Sequence, residues 1–184
     1  MKKFFLATVL FVSLSVSAQE KPDYKDEIIA RSEALGQTGN NEIRLNMLTA
    51  IIGYPEINYE RFLADNMGIG IAGAFSLVPR EKLDIRSYVM PYYRLYFGDK
   101  KASGFFIEGN IAIYSQESEV GYDPNRQDYI YEKSTNGGFG AAVGGKFLTR
   151  NGFVGEVYGG VGRLFGNAPT EIYPRYGISI GKRF

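Results

Sequence analysis

The 184-residue sequence contains no cysteine, no histidine and no tryptophan. Without cysteine there is no disulfide, no thiolate metal site and no lipoprotein anchor. Without histidine the chain lacks the side chain used most often as general base and metal ligand, which sets aside most hydrolase and metalloenzyme chemistry. An excess of either charge is missing too. The 21 Lys and Arg against 20 Asp and Glu leave a formal net charge of +1, so nothing points to a nucleic-acid partner or an anionic surface. After the N-terminal region no apolar run approaches the ~20 residues of a spanning helix without a charge or a glycine. If the mature chain enters a membrane, it must therefore do so as a closed sheet, which pairs every backbone group within the structure. What the chain does have is 23 glycines, 14 tyrosines and 13 phenylalanines, a mixture suited to pleated strands and tight turns.

The first residues carry a separate message. Lys2 and Lys3 precede an apolar run over 4–12, and Val16-Ser17-Ala18 precede Gln19. Charge, a short apolar run and small residues in that order predict a secretory signal peptide over 1–18, cleaved after about Ala18. An uncleaved anchor is the alternative, and the run is too short for it. Residues 19–41 are polar, with a weak helical hint over 24–35 where Ile28, Ile29 and Leu35 can share one side. They are expected to form a periplasmic leader, loosely ordered as chain ends often are; a plug or docking arm is the other reading.

From residue 42 the apolar pattern has period two, interrupted by turn signals. It predicts eight strands, over 42–51, 56–63, 67–78, 84–97, 104–116, 138–147, 153–164 and 173–184. Most reach the ~9–11 residues that a tilted strand needs to cross a bilayer. The connections 64–66, 98–103 and 149–152 are tight and polar, 120–136 is long and 165–172 intermediate, the alternation expected of an outer-membrane barrel. The connection 52–55 is short as well, so the asymmetry is imperfect. With an even strand count both ends fall on one side. The expected fold is all-β: an eight-stranded antiparallel up-and-down transmembrane β-barrel over 42–184, too narrow for a general diffusion pore.

Soluble and membrane barrels both alternate, so the question is which face turns outward. In the last strand Tyr176, Ile178, Ile180 and Phe184 share one face, with Lys182 joining near its end, while Arg175, Gly177, Ser179, Gly181 and Arg183 share the other. In the fourth, Val89, Pro91, Tyr93, Leu95 and Phe97 oppose Arg86, Tyr88, Tyr92, Arg94 and Tyr96. Hairpin pairing about 98–103 brings Arg94 opposite Glu108, and pairing about 149–152 brings Lys146 opposite Glu156. With lipid on the apolar face these charges gather inside, joined by Arg44, Glu60 and Arg183 at a similar depth; a solvated surface ladder is the alternative. Aromatics near the short turns (Phe62, Phe97, Phe105, Phe147, Phe153, Phe184) and near the loops (Tyr54, Tyr114, Phe165, Tyr173) are expected to form two interfacial girdles.

Other motifs point away from chemistry. Gly68-Ile69-Gly70-Ile71-Ala72-Gly73 matches the dinucleotide-binding glycine pattern, yet it sits in a strand-period run and does not open a helix. These glycines, with Gly138, Gly140 and Gly144, are read as small residues making room in a narrow lumen. Segment 120–136 places Asp123, Asp128 and Glu132 among Tyr122, Tyr129 and Tyr131 without calcium-loop spacing. It is expected to be a solvated extracellular loop, its three tyrosines the best candidates for contact with a protein or glycan. Serines are present without a histidine to activate them or a Gly-x-Ser-x-Gly elbow. No catalytic, cofactor or metal site is expected.

The segments Glu42-Ile43-Arg44-Leu45-Asn46, Pro55-Glu56-Ile57-Asn58-Tyr59-Glu60, Pro91-Tyr92-Tyr93-Arg94-Leu95-Tyr96-Phe97-Gly98, Gly104-Phe105-Phe106-Ile107-Glu108-Gly109 and Gly177-Ile178-Ser179-Ile180-Gly181-Lys182-Arg183-Phe184 resemble a group of small outer-membrane β-barrel proteins of Gram-negative bacteria, catalogued as a domain of unknown function. The closing Gly-Lys-Arg-Phe also looks like the C-terminal signal that barrel-insertion machinery reads. The resemblance implies a fold and a location, outer-membrane lipid and lipopolysaccharide as surroundings and the insertion machinery as a partner, and no active site. The expected role is a non-enzymatic structural or surface-binding barrel acting through loops 120–136 and 165–172. A lipid-modifying outer-membrane enzyme and a secreted lipocalin-like carrier with an apolar lumen are the alternatives.

Overall fold

The computed structural model describes residues 39–79, 85–123, 128–166 and 171–184, apart from the side chains of Ser118, Glu119, Asp123 and Asp128. The expected signal peptide and nearly all of the leader lie outside the described residues. The elements are β1 (Asn41–Asn46), α1 (Met47–Ile51), β2 (Glu56–Ala64), β3 (Met67–Phe75), β4 (Ile85–Phe97), β5 (Gly104–Asp123), β6 (Asp128–Leu148), β7 (Phe153–Leu164) and β8 (Ile172–Arg183). Each strand pairs antiparallel with the next, and β1 pairs with β8 to close an eight-stranded barrel. At the seam the backbone groups of Asn41 and Phe184 exchange two hydrogen bonds of 2.9 Å, and closure leaves no edge along the barrel wall.

Alternation fixes what faces where. In β2, Glu56, Asn58, Glu60 and Phe62 are buried while Ile57, Tyr59, Arg61 and Leu63 are exposed. β8 repeats this with Tyr173, Arg175, Gly177 and Ser179 inside and Pro174, Tyr176, Ile178 and Ile180 outside. The ionic face is the dry one: Arg94 is 0% exposed and Glu108 3%, against 48% for Ile178 and 61% for Ile111.

One end of the barrel carries the turns β2–β3, β4–β5 and β6–β7, and there Phe62, Tyr96, Ala102, Phe106 and Tyr158 form an apolar cluster. The β4–β5 turn folds under this end. Ala102, at a φ of +42°, is fully buried, its N–H donates to the Asp65 carbonyl at 2.6 Å and its own carbonyl accepts from Arg183 Nη2 at 2.8 Å. Toward the opposite end, Tyr54, Tyr88, Tyr92, Tyr114 and Tyr173 form a second cluster with Met90, Leu164 and neighbouring alanines.

Four expectations are corrected. The first strand stops at Asn46 instead of running to 51: Thr49 N–H donates to the Asn46 side chain at 3.4 Å, and this cap starts the one-turn helix α1. Segment 120–136 is strand, not loop, over its described residues 120–123 and 128–136. β5 and β6 continue pairing through Tyr122↔Tyr129 and Asp123↔Asp128, with a bulge between Glu119 and Gly121, because Val120, Tyr122, Tyr129, Ile130 and Tyr131 are strong strand formers whose alternation the interspersed charges obscure. Gly73 does not make room in the lumen: it shares its register with Ile69 and Ile71 and its Cα faces open space. The girdles are also redistributed. Phe97, Phe105, Phe147, Phe153, Phe184 and Phe165 face outward, but Phe62, Tyr54, Tyr114 and Tyr173 point inward, the three strand residues sharing parity with the lumen ions Glu60, Glu108 and Arg175.

Candidate functional site

The lumen is the most structured polar region of the molecule. Five glutamates (Glu42, Glu56, Glu60, Glu108, Glu156) and five cations (Arg44, Arg94, Lys146, Arg175, Arg183), all buried, fill it between the two aromatic clusters. The formal charges cancel, as they must where ions are kept from water.

Glu60 is a hub. It lies 2.7 Å from Arg44 Nη1, 2.9 Å from Lys146 Nζ and 3.4 Å from Arg94 Nη1, and accepts from the Tyr96 hydroxyl. Glu156 holds Arg94 Nη1 at 2.8 Å and stands 3.2 Å from Arg44 Nε, an ion pair in which the Nε proton finds no acceptor in line. Glu42 takes Lys146 at 2.8 Å, Arg183 at 3.0 Å and a contact from Arg44. Nearer the α1 end, Arg175 bridges Glu56 at 2.8 Å and Glu108 at 3.1 Å, and Glu56 also accepts from Asn58, Tyr158 and Tyr88. The Arg94 guanidinium lies 4.2 Å from the Phe106 ring centre and 4.7 Å from that of Tyr92, so its faces meet π-systems while its edges meet carboxylates. Missing Cβ atoms make room for the rings: a methyl at Gly70 would strike Tyr92 and one at Gly162 would strike Tyr173.

The predicted positions fall as follows. Arg94 is register partner to Glu108 and 2.8 Å from it. Lys146 is register partner to Glu156, yet its Nζ stands 3.8 Å away and reaches across the lumen to Glu42 and Glu60 instead. The long stem leaves the wall, and the carboxylates of β1 and β2 lie closer to its tip. Glu42, Glu56 and Arg175 also belong to the lattice and were not predicted as partners, though their parity with Arg44, Glu60 and Arg183, each on the same strand, was the available signal.

Tyr122 and Tyr129 sit opposite each other near the hairpin tip, exposed, with rings 5.3 Å apart and 65° between planes, while Tyr131 is half-buried further down. β4 pairs with β5 only as far as Gln116 and β7 with β6 only as far as Gly138. The last seven residues of β5 therefore stand beyond the rim as a two-stranded ribbon roughly 23 Å long.

At the rim, Tyr54, just before β2, is buried and its hydroxyl has no partner among the described residues. Burial, and next the Glu56 carboxylate, push its phenol above the ordinary range.

Compared with protein-family models and with curated proteins, the chain matches none. Among solved structures it is similar to the crystal structure of the N-terminal beta-barrel domain of Pseudomonas aeruginosa OprF, with a TM-score of 0.51 and 13% identity over 79% of this chain and 98% of that one. At that identity the likeness is one of fold.

Proposed function

We propose that this chain is exported, loses residues 1–18 and inserts in the outer membrane as a closed, non-conducting barrel that holds the β5–β6 ribbon outside the cell as a surface for a partner. The observation that carries this reading is the inverted distribution of polarity. Ion pairs occupy the interior, and a continuous belt including Ile57, Ile71, Ile107, Ile111, Val157 and Ile178 faces outward. Soluble monomers rarely leave more than a few hundred Å² of contiguous apolar surface in water; a bilayer removes that cost and leaves the lumen as the place for charge. The similarity to the OprF barrel domain supports the barrel fold on which this reading rests. A secreted carrier of the lipocalin type needs an apolar interior, and the ten lumen ions oppose it. The lattice and the aromatic clusters fill the bore, which favours a structural and displaying role over a diffusion pore.

Because the chain has no cysteine, single cysteines report orientation cleanly. In intact cells Tyr122→Cys should react with a membrane-impermeant maleimide, whereas Lys100→Cys, on the β4–β5 turn, should react only after permeabilisation. Equal labelling of both in intact cells, or recovery of the protein in the soluble periplasm, would sink the proposal.

A further inference from the structure

Every cation of the lumen has a carboxylate, but two cations on the outward wall have none. Arg61 on β2 and Lys182 on β8 are exposed, no side-chain carboxylate faces outward on β1, β2 or β8, and neither cation has an acidic partner among the described residues. Arg61 reaches the Asn41 side chain at 3.5 Å, and Lys182 Nζ lies 5.4 Å from the Phe153 ring centre. Arg163, outward toward the other end, has Glu171 at 3.1 Å. The net charge of +1 conceals this local excess.

Register brings the two together. Arg61 is partner to Asn41 and Lys182 to Ile43, so only β1 separates them, and at ordinary strand spacing and rise their Cα atoms stand about 12 Å apart. Side chains of that length can meet on one anion between them. Tyr59, also partner to Ile43, donates its hydroxyl to Asn41 Oδ1 at 2.9 Å, beside Arg61. Arg61 lies three residues before the end of β2 and Lys182 one before the end of β8, the interfacial depth at which a lipid-facing charge costs least.

Each cation also lines an apolar groove. Arg61 borders one of about 700 Å³ over Ile69, Ile71, Pro91, Tyr93 and Ile111, deepened where Gly109 has no side chain. Lys182 borders one of about 420 Å³ over Ile43, Leu45, Ile57, Phe153 and Ile180. The first runs across β3 to β5 and the second across β1 and β8, so one anion site has an apolar groove on either side. A diacyl phospholipid has that form, one phosphate with two acyl chains. Two uncompensated cations select a headgroup of net negative charge over a zwitterionic one, whose ammonium they repel. A third groove of about 630 Å³, over Leu95, Ile107, Val143 and Val161, has no cation in its lining. We propose that the β8–β1–β2 sector binds one anionic diacyl phospholipid of the periplasmic leaflet, its phosphate held by Arg61 and Lys182 and an acyl chain in each groove. This rests on the membrane reading above and adds the lipid class and its place on the wall.

The chain has no tryptophan, so one introduced indole reports the lipid beside it. Leu45→Trp puts the reporter in the Lys182 groove and Val143→Trp in the cation-free one. Each is reconstituted in phosphatidylcholine vesicles with a minor share of phosphatidylglycerol, equal in both leaflets so that insertion direction is immaterial, and dibrominated acyl chains on one lipid at a time serve as quencher. A cation near a headgroup is worth about fivefold in affinity, so phosphatidylglycerol should be enriched at least about fivefold beside the Leu45→Trp reporter and not beside the Val143→Trp one. Adding Arg61→Gln and Lys182→Gln should bring the first reporter down to the second. Should that double substitution prevent folding, the contrast between the two reporters decides. Equal quenching by the two lipids at Leu45→Trp, the same enrichment at both reporters, or enrichment that survives loss of both cations overturns the proposal and leaves the membrane barrel standing; no quenching by either lipid at either reporter overturns both.

Discussion

Glu108 accepts from Arg94 on its own hairpin and from Arg175 across the lumen, and no water-facing surface is open to any of the three. Replacing it with alanine leaves two guanidiniums short of a counter-charge, so Glu108→Ala should destabilise the barrel by about 3–5 kcal/mol. Glu171→Ala breaks the Arg163 pair of 3.1 Å, whose partners are both about two-thirds exposed, and should cost under about 1 kcal/mol. Urea unfolding of both variants in detergent checks the contrast, and equal effects would show the lattice to be wet. Gly162→Ala probes the other requirement of a narrow bore. Its new methyl meets the Tyr173 ring and the wall cannot move without breaking the β7–β8 ladder, so a loss of about 1–3 kcal/mol is expected in the same assay.

At the scale of elements, the β5–β6 ribbon and the barrel wall separate in their contacts. Below Gln116 and Gly138 each strand has a neighbour on both sides; above them β5 and β6 form a ladder only with each other among the described residues, tied to the wall at the base where Gly137 accepts from the Phe165 N–H at 2.8 Å and Glu117 stands 3.9 Å from Arg86. Register puts Glu117 opposite Lys133, so replacing 118–132 with Asn-Gly closes the ribbon with a two-residue hairpin turn suited to strand twist. The shortened chain should keep its heat-modifiable mobility and lose capture of any surface partner by the wild-type protein. Unchanged capture would move the interaction to another part of the rim. α1 behaves differently, because Asn46, which caps it, also donates through Nδ2 to the Tyr158 hydroxyl and the Tyr176 carbonyl, both at 3.1 Å, tying this turn into the barrel wall.

For the whole molecule the decisive property is which solvent each face meets. Ile178 lies at the middle of β8, outward and half-exposed, where a bilayer would place it near its centre. Ile178→Arg should lower folding stability in lipid vesicles by about 2–4 kcal/mol; a negligible or favourable change would mean that this face meets water. The same geometry predicts that the wild-type barrel, reconstituted in a planar bilayer, shows no steady conductance.

Period-two alternation from residue 42, polar turns and the parity of Arg94, Glu108, Lys146 and Glu156 were enough to predict eight strands, closure and two register pairs, because in a strand the direction of a side chain depends only on its position along the chain. The same parity put Arg175 on the face of Arg183 and was there to be read for Glu42 beside Arg44 and Glu56 beside Glu60, but which charge meets which across a lumen depends on barrel tilt and stagger, and those exist only once the sheet has closed. So it was tertiary structure that took Lys146 from Glu156 to Glu42 and Glu60, gathered tyrosines from before β2 and from β4, β5 and β8 into one arc, and carried β5 and β6 beyond their neighbours. Alternation is a property of one strand, whereas a lattice of contacts across the bore belongs to eight strands at once.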